Sequence, residues 1–213
     1  MDIINKNTNI DLLSNDLTPD LYNLYKKSPY LAIDTEAMGL IHGRDRLCLV
    51  QICNEFKRTS FIKIELNTSS SPHLKALFED EKITKIFHFA RFDVAALKCN
   101  LGINTKNIFC TKIASKLART YTNKHGLKDL INELLGIELD KSAQSSDWGS
   151  NEYLTKDQLD YAANDVRYLI EAMHKLKVIL ERENRYKLAQ KCFKTISVHA
   201  ELDIQQFSNI FEH

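Results

Sequence analysis

The sequence predicts an α/β fold: a mixed central sheet opened by an antiparallel meander, with helices on both sides and a helical C-terminal part. Short apolar runs that suit buried strands occupy the first half of the chain, with helical stretches between them. From Thr111 onward the apolar residues recur at three- and four-residue spacing, which is typical of helices. Strands with interleaved helices, followed by helices alone, favour an α/β core with a helical cap on one side.

Three strand-like runs follow one another at short separations, and this arrangement predicts the antiparallel meander. The runs are Tyr30–Asp34, Leu47–Cys53 and Thr59–Ile64. No strand is predicted in the polar, asparagine-rich start, and a short helix that begins after Thr18 and Pro19 leads into the first run. Residues 38–45, between the first two strands, are rich in turn formers and predict a loop.

Helices and strands alternate after the meander, before the helical part begins. A helix after Pro72, a strand over Lys85–His88, a helix from about Ala90 and a strand over Asn107–Cys110 are predicted in this order. The helical part is predicted at Thr111–Thr120, Gly126–Leu135, Thr155–Asn184 and Leu188–Phe193. Because the sequence has no internal repeat and no low-complexity linker, residues 1–213 are expected to form a single domain.

The composition is that of a globular protein without a strong charge bias. An apolar fraction of 44% with mixed charges excludes the disordered and fibrous classes. No apolar run reaches the roughly 18 residues that a membrane span needs, and the start lacks the features of a signal peptide, so cytoplasmic localisation is expected. The net charge of +1 favours a short or locally bound substrate over a long nucleic acid.

The five cysteines are scattered along the chain and form no Cys-x-x-Cys pair. An odd number at such spacings argues against a disulfide framework and against a zinc site. We therefore expect reduced, buried thiols that behave as small apolar side chains.

Two carboxylates, Asp34 and Glu36, lie two residues apart where the first strand of the meander ends. Residues two apart in a strand point to the same side, so both carboxylates are predicted to face one point. Two like charges at the end of an apolar strand are costly unless a positive group lies between them, and a divalent metal ion meets that need. Solvated acids at an ordinary strand end are the alternative.

Two further carboxylates, Asp93 and Asp165, are predicted to lie on apolar faces of helices. The neighbours of Asp93 at three and four residues are Phe89, Ala90, Ala96 and Leu97. Those of Asp165 are Tyr161, Ala162, Tyr168 and Leu169. Acids are seldom fully buried unless they are paired, although a side chain near a helix end can turn to solvent. Either acid taken alone is open to both interpretations.

Together the four carboxylates predict a site for hard cations. Oxygen ligands without an accompanying His or Cys cluster favour Mg²⁺ or Mn²⁺ over zinc. Acids around two such ions form an arrangement for in-line attack on a phosphodiester. Tyr161 lies one helical turn before Asp165, where its hydroxyl could orient the attacking water or its ring could pack in the core.

Three short motifs resemble those of a known family. They are Asp34-x-Glu36, His88-x-x-x-x-Asp93 and Tyr161-x-x-x-Asp165. In order and spacing they resemble the three exonuclease motifs of the DEDD 3′→5′ exonucleases, in the branch with a tyrosine in the third motif. The block from Lys141 to Trp148, together with the third motif, is similar to the RNase D group of that branch.

A narrower resemblance is to the nano-RNase C family, the short alphaproteobacterial branch of that group, and residues 86–93, 109–115 and 119–128 carry it. The resemblance implies an RNase H-like exonuclease fold over about 28–180 and a helical extension over about 181–213, with no room for further C-terminal nucleic-acid-binding modules. It also implies a ring-like homo-octamer that cleaves short single-stranded RNA, especially dinucleotides, to nucleoside 5′-monophosphates.

The resemblance assigns roles to eight residues by their positions in the motifs. Asp34, Glu36, Asp93 and Asp165 would hold two divalent ions, Mg²⁺ or Mn²⁺, and Tyr161 would position the water. Leu40 would be an apolar wedge against the bases, with Thr35 and His88 as further substrate contacts. The alternatives are a loop leucine that covers the core edge and a histidine that hydrogen-bonds within the fold.

Other residues near the motifs receive no firm role. The block Gln144–Trp148 could present hydroxyls to a phosphate and an indole to a base or to a second subunit, or form a helix cap with a packed tryptophan. Arg91 and Lys112 are either phosphate contacts or solvated charges.

The leading hypothesis is a 3′→5′ exoribonuclease for dinucleotides. The alternatives are general RNase D-like 3′ trimming of longer RNA or single-stranded DNA, and a non-catalytic RNA-binding scaffold. A scaffold has no need of four clustered acids, and this speaks against it.

Overall fold

A mixed sheet of seven strands forms the centre of what the computed structural model describes, namely residues 3–5, 9–139, 148–149, 154–208 and 210–211. In chain order the strands are β1 (Ile3–Asn5), β2 (Ile10–Ser14), β3 (Tyr30–Ala37), β4 (Leu47–Asn54), β5 (Thr59–Lys63), β6 (Thr84–Phe87) and β7 (Ile108–Cys110). Their order across the sheet is β1-β2-β5-β4-β3-β6-β7. β3, β4 and β5 pair antiparallel, which confirms the predicted meander, whereas β6 and β7 continue the sheet parallel to β3.

The helices lie between and after these strands. They are α1 (Pro19–Tyr25), α2 (Pro72–Phe78), α3 (Ala90–Leu101), α4 (Thr111–Ala118), α5 (Leu127–Leu135), α6 (Lys156–Arg167), α7 (Leu169–Arg182), α8 (Tyr186–Lys194) and α9 (Ile196–Ile204). Thr18 caps α1 as predicted, since its hydroxyl oxygen accepts the Leu21 N–H at 3.4 Å. Within the described ranges, no helix has the length and apolar character needed to cross a membrane.

The prediction that the chain has no strand before Thr18 is wrong. β2 pairs parallel with β5, and β1 pairs antiparallel with β2 at the edge of the sheet. In β2 a buried carboxylate, Asp11, interrupts the apolar pattern that marks a strand, and Arg58 compensates its charge by donating from Nε to Oδ2 at 2.8 Å. The compensating residue is distant in sequence, so the local pattern indicated a polar segment.

The helical part is divided more finely than predicted. The single helical stretch predicted at Thr155–Asn184 is two helices, because the chain breaks at Tyr168 between α6 and α7. The stretch predicted at Leu188–Phe193 extends to the whole of α8, and α9 follows it. α9 packs on α3, where ion pairs join Arg91 to Asp203 and Lys98 to Glu201, both at 2.5 Å.

Two groups of apolar side chains fill the interior. The larger group includes Leu31, Ala32 and Ile33 of β3, all fully buried, so this strand is covered on both faces. The second group, which we call the α6 cluster, comprises Cys48, Leu49, Phe61, Trp148, Ala162 and Ala163, with Tyr161 packed against it. The α6 cluster joins α6 to β4 and β5.

The cysteine prediction holds in its chemistry and fails in part on burial. All five thiols are free. Cys48, Cys53 and Cys110 are buried, but Cys99 is exposed and Cys192 is half-buried. Both exceptions lie on helices, where every turn of an amphipathic helix has a solvent-facing side.

Candidate active site

The end of β3 places two carboxylates side by side. β3 extends through Ala37, so Asp34 and Glu36 are both within the strand and point to the same side, as predicted. β3 is flanked by β4 and β6, and its pairing register with β4 shifts between Glu36 and Ala37. The two acids are therefore fixed by a central strand rather than by a loop.

Helix α6 brings the third carboxylate to the same point. Its first turn is fixed by a capping box, in which the Thr155 hydroxyl accepts the Gln158 N–H and the Gln158 side chain accepts the Thr155 N–H. α6 packs on β3 and β4, and one carboxylate oxygen each from Asp34, Glu36 and Asp165 lie within 4.8 Å of one another. Three oxygen donors at this separation suit a single divalent cation.

Asp93 lies beside this group in the first turn of α3 and is only 3% exposed. Its Oδ1 accepts a hydrogen bond from the Thr35 hydroxyl at 2.7 Å, and the Thr35 N–H also contacts this carboxylate. Asp93 does not belong to the group of three acids whose oxygens lie within 4.8 Å of one another. It is nevertheless close enough for its charge to raise the pKa of both Asp34 and Glu36. Thr35 thus orients the fourth acid from the strand that carries the first two.

Three of the four carboxylates, Asp34, Glu36 and Asp93, titrate abnormally because of burial and of the neighbouring charges. Burial is the main cause that raises the pKa of Glu36 to about 8 and of Asp93 to about 7, and the charge of Asp165 adds to both shifts. The pKa of Asp34 is also well above its usual range, through burial and then through the charges of Asp93, Asp165 and Glu36. Such a cluster holds protons that a divalent cation can replace, and its all-oxygen donor set fits Mg²⁺ or Mn²⁺.

Tyr161 lies on α6 one turn before Asp165 and hydrogen-bonds with that carboxylate. Its half-buried phenol has a pKa far above the usual value, first through burial and then through the charges of Asp165, Glu36 and Asp34. The hydroxyl therefore keeps its proton across the physiological pH range.

The acids open into a cleft of about 560 Å³. Its walls include Leu40, 80% exposed on the loop after β3, as well as His88, Lys112 and Trp148. His88 Nδ1 lies 2.9 Å from the Thr111 hydroxyl, which itself donates to the Phe87 carbonyl oxygen at 3.0 Å. Nδ1 must then be the donor, and this fixes the ring's orientation at the cleft wall.

Two further parts of the cleft had no firm role predicted from the sequence. Lys112 lies on the wall, with its Nζ 4.5 Å from the centre of the Phe89 ring. Arg91, the other cation for which a phosphate contact was considered, forms an ion pair with Asp203.

Of the block Gln144–Trp148, only Trp148 falls within the described residues, and it is buried against Tyr161. Phe89 was expected on the apolar face beside Asp93, but it precedes α3 and is half-exposed.

The chain resembles exonucleases over most of its length. The model of the family described as 3′-5′ exonuclease matches residues 12–181. Ribonuclease D of Sphingobium indicum is 34% identical over 159 residues, which cover 75% of this chain and 40% of that protein. The chain therefore spans less than half the length of this curated relative.

Solved structures extend the similarity to nearly the whole chain. Brucella melitensis NrnC bound to pGG is 47% identical with a TM-score of 0.89, and the match covers 96% of this chain and 98% of that one. The same protein with bound Mg²⁺ is 46% identical with a TM-score of 0.88 and the same coverage. Escherichia coli RNase D is 26% identical with a TM-score of 0.75, and the match covers 85% of this chain and 47% of that one.

Proposed function

Because the chain belongs to the 3′-5′ exonuclease family and has the RNase H-like fold predicted from its sequence, we propose that it is a metal-dependent 3′→5′ exoribonuclease. Its proposed substrates are very short RNAs, dinucleotides above all, and its products nucleoside 5′-monophosphates. The observation that carries the proposal is the convergence of Asp34, Glu36 and Asp165 within 4.8 Å at the base of an open cleft. The pGG bound to NrnC, whose chain is similar over almost its full length, supports the substrate class.

The four acids would hold two divalent ions, Mg²⁺ or Mn²⁺. Asp34, Glu36 and Asp165 offer oxygens at one point, and Asp93 offers a further carboxylate beside them. When bound, such a pair of ions activates a water and stabilises the leaving oxygen of a phosphodiester. The Mg²⁺ found with NrnC supports this choice of metal.

The remaining cleft residues act on the water and the RNA. Tyr161, which keeps its proton, orients the attacking water through its hydroxyl. Leu40 is exposed at the cleft, where its side chain packs against a base, and His88 and Lys112 face the sugar-phosphate backbone. Thr35 contributes indirectly by holding Asp93.

The proposal extends to assembly and location. We propose that the chain forms a homo-oligomer, and the resemblance of the sequence indicates an octamer. We also propose that the protein is cytoplasmic. Light scattering of the purified protein measures the assembly directly, and a mass of a single chain would contradict it.

A length series of RNA tests the function. Purified protein is incubated with Mn²⁺ and 5′-labelled RNAs of two to twenty nucleotides, and the initial rate at each length is measured beside those of Asp34→Asn and of the exposed-acid control Asp20→Asn. We expect mononucleotide release with the highest rate on the dinucleotide, lost in Asp34→Asn and kept in Asp20→Asn. No hydrolysis at any length, or full activity of Asp34→Asn, would overturn the proposal.

The same series decides between the proposal and general 3′ trimming. A rate that rises with length, or equal rates on RNA and single-stranded DNA, would favour the RNase D-like alternative. The near-neutral net charge of +1 speaks for the short substrate, because phosphate-driven binding of long RNA gains from a basic surface.

A further inference from the structure

Trp148 forms the part of the cleft wall that lies against Tyr161. The ring centres of the two residues are 6.2 Å apart and their planes are tilted by 39°. The indole is 6% exposed, it belongs to the α6 cluster, and it is the chain's only tryptophan. Its Nε1 has no hydrogen-bond partner among the described residues. Within those residues, the ring is therefore oriented by packing contacts.

Arg46 holds the segment that carries this indole. The guanidinium donates from Nη1 to the Ile64 carbonyl oxygen at 2.9 Å and from Nη2 to the Gly149 carbonyl oxygen at 3.0 Å. The Arg46 carbonyl oxygen in turn accepts the Met38 N–H at 3.0 Å. The half-buried Arg46 side chain thus links the end of β5 to the residue that follows Trp148, and the Arg46 backbone adds a bond to the loop between β3 and β4.

Gly149 adds a steric condition to this link. A Cβ added at Gly149 would come within 3.0 Å of Met38 Cγ, and its next nearest atoms are Cε and Sδ of the same side chain at 3.1 Å. The Trp148–Gly149 backbone therefore lies directly on the loop that borders the acid cluster. Its position depends on close contact as well as on Arg46.

The orientation of Tyr161 needs a support other than Asp165. The phenol hydrogen-bonds with Asp165. A cation held by Asp165 would draw on the charge of the same carboxylate and weaken that hydrogen bond. Packing against the ring then decides where the hydroxyl points, and Trp148 supplies that packing from the cleft side.

We propose that Trp148 is a positioning residue for Tyr161, and that Arg46 anchors it through the Gly149 carbonyl. The inference rests on the proposed exonuclease function. It gives Trp148 no contact with the reacting atoms, because its effect on the rate passes through the direction of the Tyr161 hydroxyl.

A double-mutant cycle tests the coupling between the two rings. We expect Trp148→Leu to lower kcat about tenfold when Tyr161 is present, and less than about twofold in the Tyr161→Phe background, with KM changed less than about twofold in either. Equal losses in the two backgrounds would overturn the proposal. So would loss of Mn²⁺-induced thermal stabilisation in Trp148→Leu, because the indole would then support the acid cluster instead.

Two further variants separate positioning from general packing. Phe61→Leu removes a comparable side chain from the same α6 cluster but not from the cleft wall, and its loss of kcat should be the same in both backgrounds. If Trp148→Leu does not fold, Trp148→Phe replaces it in the cycle, because it keeps an aromatic ring at this position. A partial loss of kcat, again absent without the Tyr161 hydroxyl, is expected for it.

Fluorescence tests the anchor without any substrate. Because Trp148 is the only tryptophan, its emission reports this site alone. Arg46→Met is expected to shift the emission to longer wavelength and to increase quenching by acrylamide, and Arg46→Lys to do so less. Unchanged emission and quenching would overturn the role of Arg46. If the wild-type protein hydrolyses no RNA, the proposed function fails, whereas this measurement still decides whether Arg46 holds Trp148.

Discussion

Buried acids occur in two regions of this molecule, and their surroundings differ. At the junction of β2 and β5, Asp11 is fully buried and receives two donors from Arg58 and one from the Ser60 hydroxyl at 3.1 Å. At the end of β3, the charges that act most strongly on Asp34 and Glu36 are those of other carboxylates. An arginine neutralises the first region within the fold, whereas the second depends on cations from solution.

The comparison separates a stabilising acid from a functional one. Asp11 is compensated by donors that fold with it, so removing its charge leaves Arg58 without a partner and destabilises the fold. In the cleft, Asp34, Glu36 and Asp93 have raised pKa values, first through burial and then through the charges of neighbouring carboxylates, and this arrangement favours metal binding over stability. Replacing acids by amides in the two regions should therefore have opposite effects.

The largest effect is expected on catalysis in the cleft. Asp34→Asn removes a charge that the proposed ions need, and the rate on a dinucleotide should fall about a thousandfold or more. Single-turnover hydrolysis with Mn²⁺ in excess measures it. A rate within a few-fold of the wild type would mean that Asp34 is not required for the reaction.

The second effect is on stability at the β2–β5 junction. Asp11→Asn leaves the mostly buried Arg58 without its carboxylate, and the free energy of unfolding should fall by about 3 kcal/mol. Urea denaturation at neutral pH measures the loss, with the exposed Asp20→Asn as the control, expected within about 0.5 kcal/mol of the wild type. Equal stability of Asp11→Asn and wild type would show that the pair adds nothing to the fold.

A third effect has the opposite sign. Glu36→Gln removes repulsion from the metal-free cluster, so its melting temperature with EDTA should lie above that of the wild type. With saturating Mn²⁺ the order should reverse, because the variant has lost a ligand. Differential scanning calorimetry of both states tests this, with the exposed Glu138→Gln unchanged in each. A lower melting temperature in EDTA would contradict the repulsion.

The smallest effect is a pH dependence. Glu36 and Asp93 have folded pKa values of about 8 and about 7, raised above those of the unfolded chain, so the metal-free fold binds the extra protons. That contribution to stability is complete below the ordinary pKa values of about 4, and it is lost as the pH rises from about 4 to about 8. Cations compete with the same protons, so Mn²⁺ affinity should rise across this window. Thermal melts with and without Mn²⁺ from about pH 4 to about pH 8 measure both trends, and a constant metal-induced shift would contradict them.

The convergence of the acids could be predicted from the sequence, whereas the contacts that hold the site residues in place could not. The spacing of Asp34 and Glu36 and the apolar helix neighbours of Asp165 are local patterns, and local patterns are readable without a structure. The bond between Thr35 and Asp93 and the contact between Trp148 and Tyr161 join different elements, so no local pattern reveals them. The partner of Asp11 is equally distant, which is why β2 was missed.

Helix boundaries could likewise be predicted only where a local sequence signal marks them. The start of α1 was predicted because Thr18 and Pro19 form a local cap. The break at Tyr168 has no glycine or proline to mark it, and the apolar spacing continues across it from α6 into α7.

Titration calorimetry with Mn²⁺ at pH 7.5 tests the central claim, that the acids at the end of β3 form a metal site, most directly. The wild type is expected to bind two ions per chain with release of protons, since Glu36 and Asp93 are partly protonated beforehand, and Asp34→Asn to lose saturable binding. A wild-type chain that binds no ions, or an Asp34→Asn chain that binds them equally well, would contradict the account.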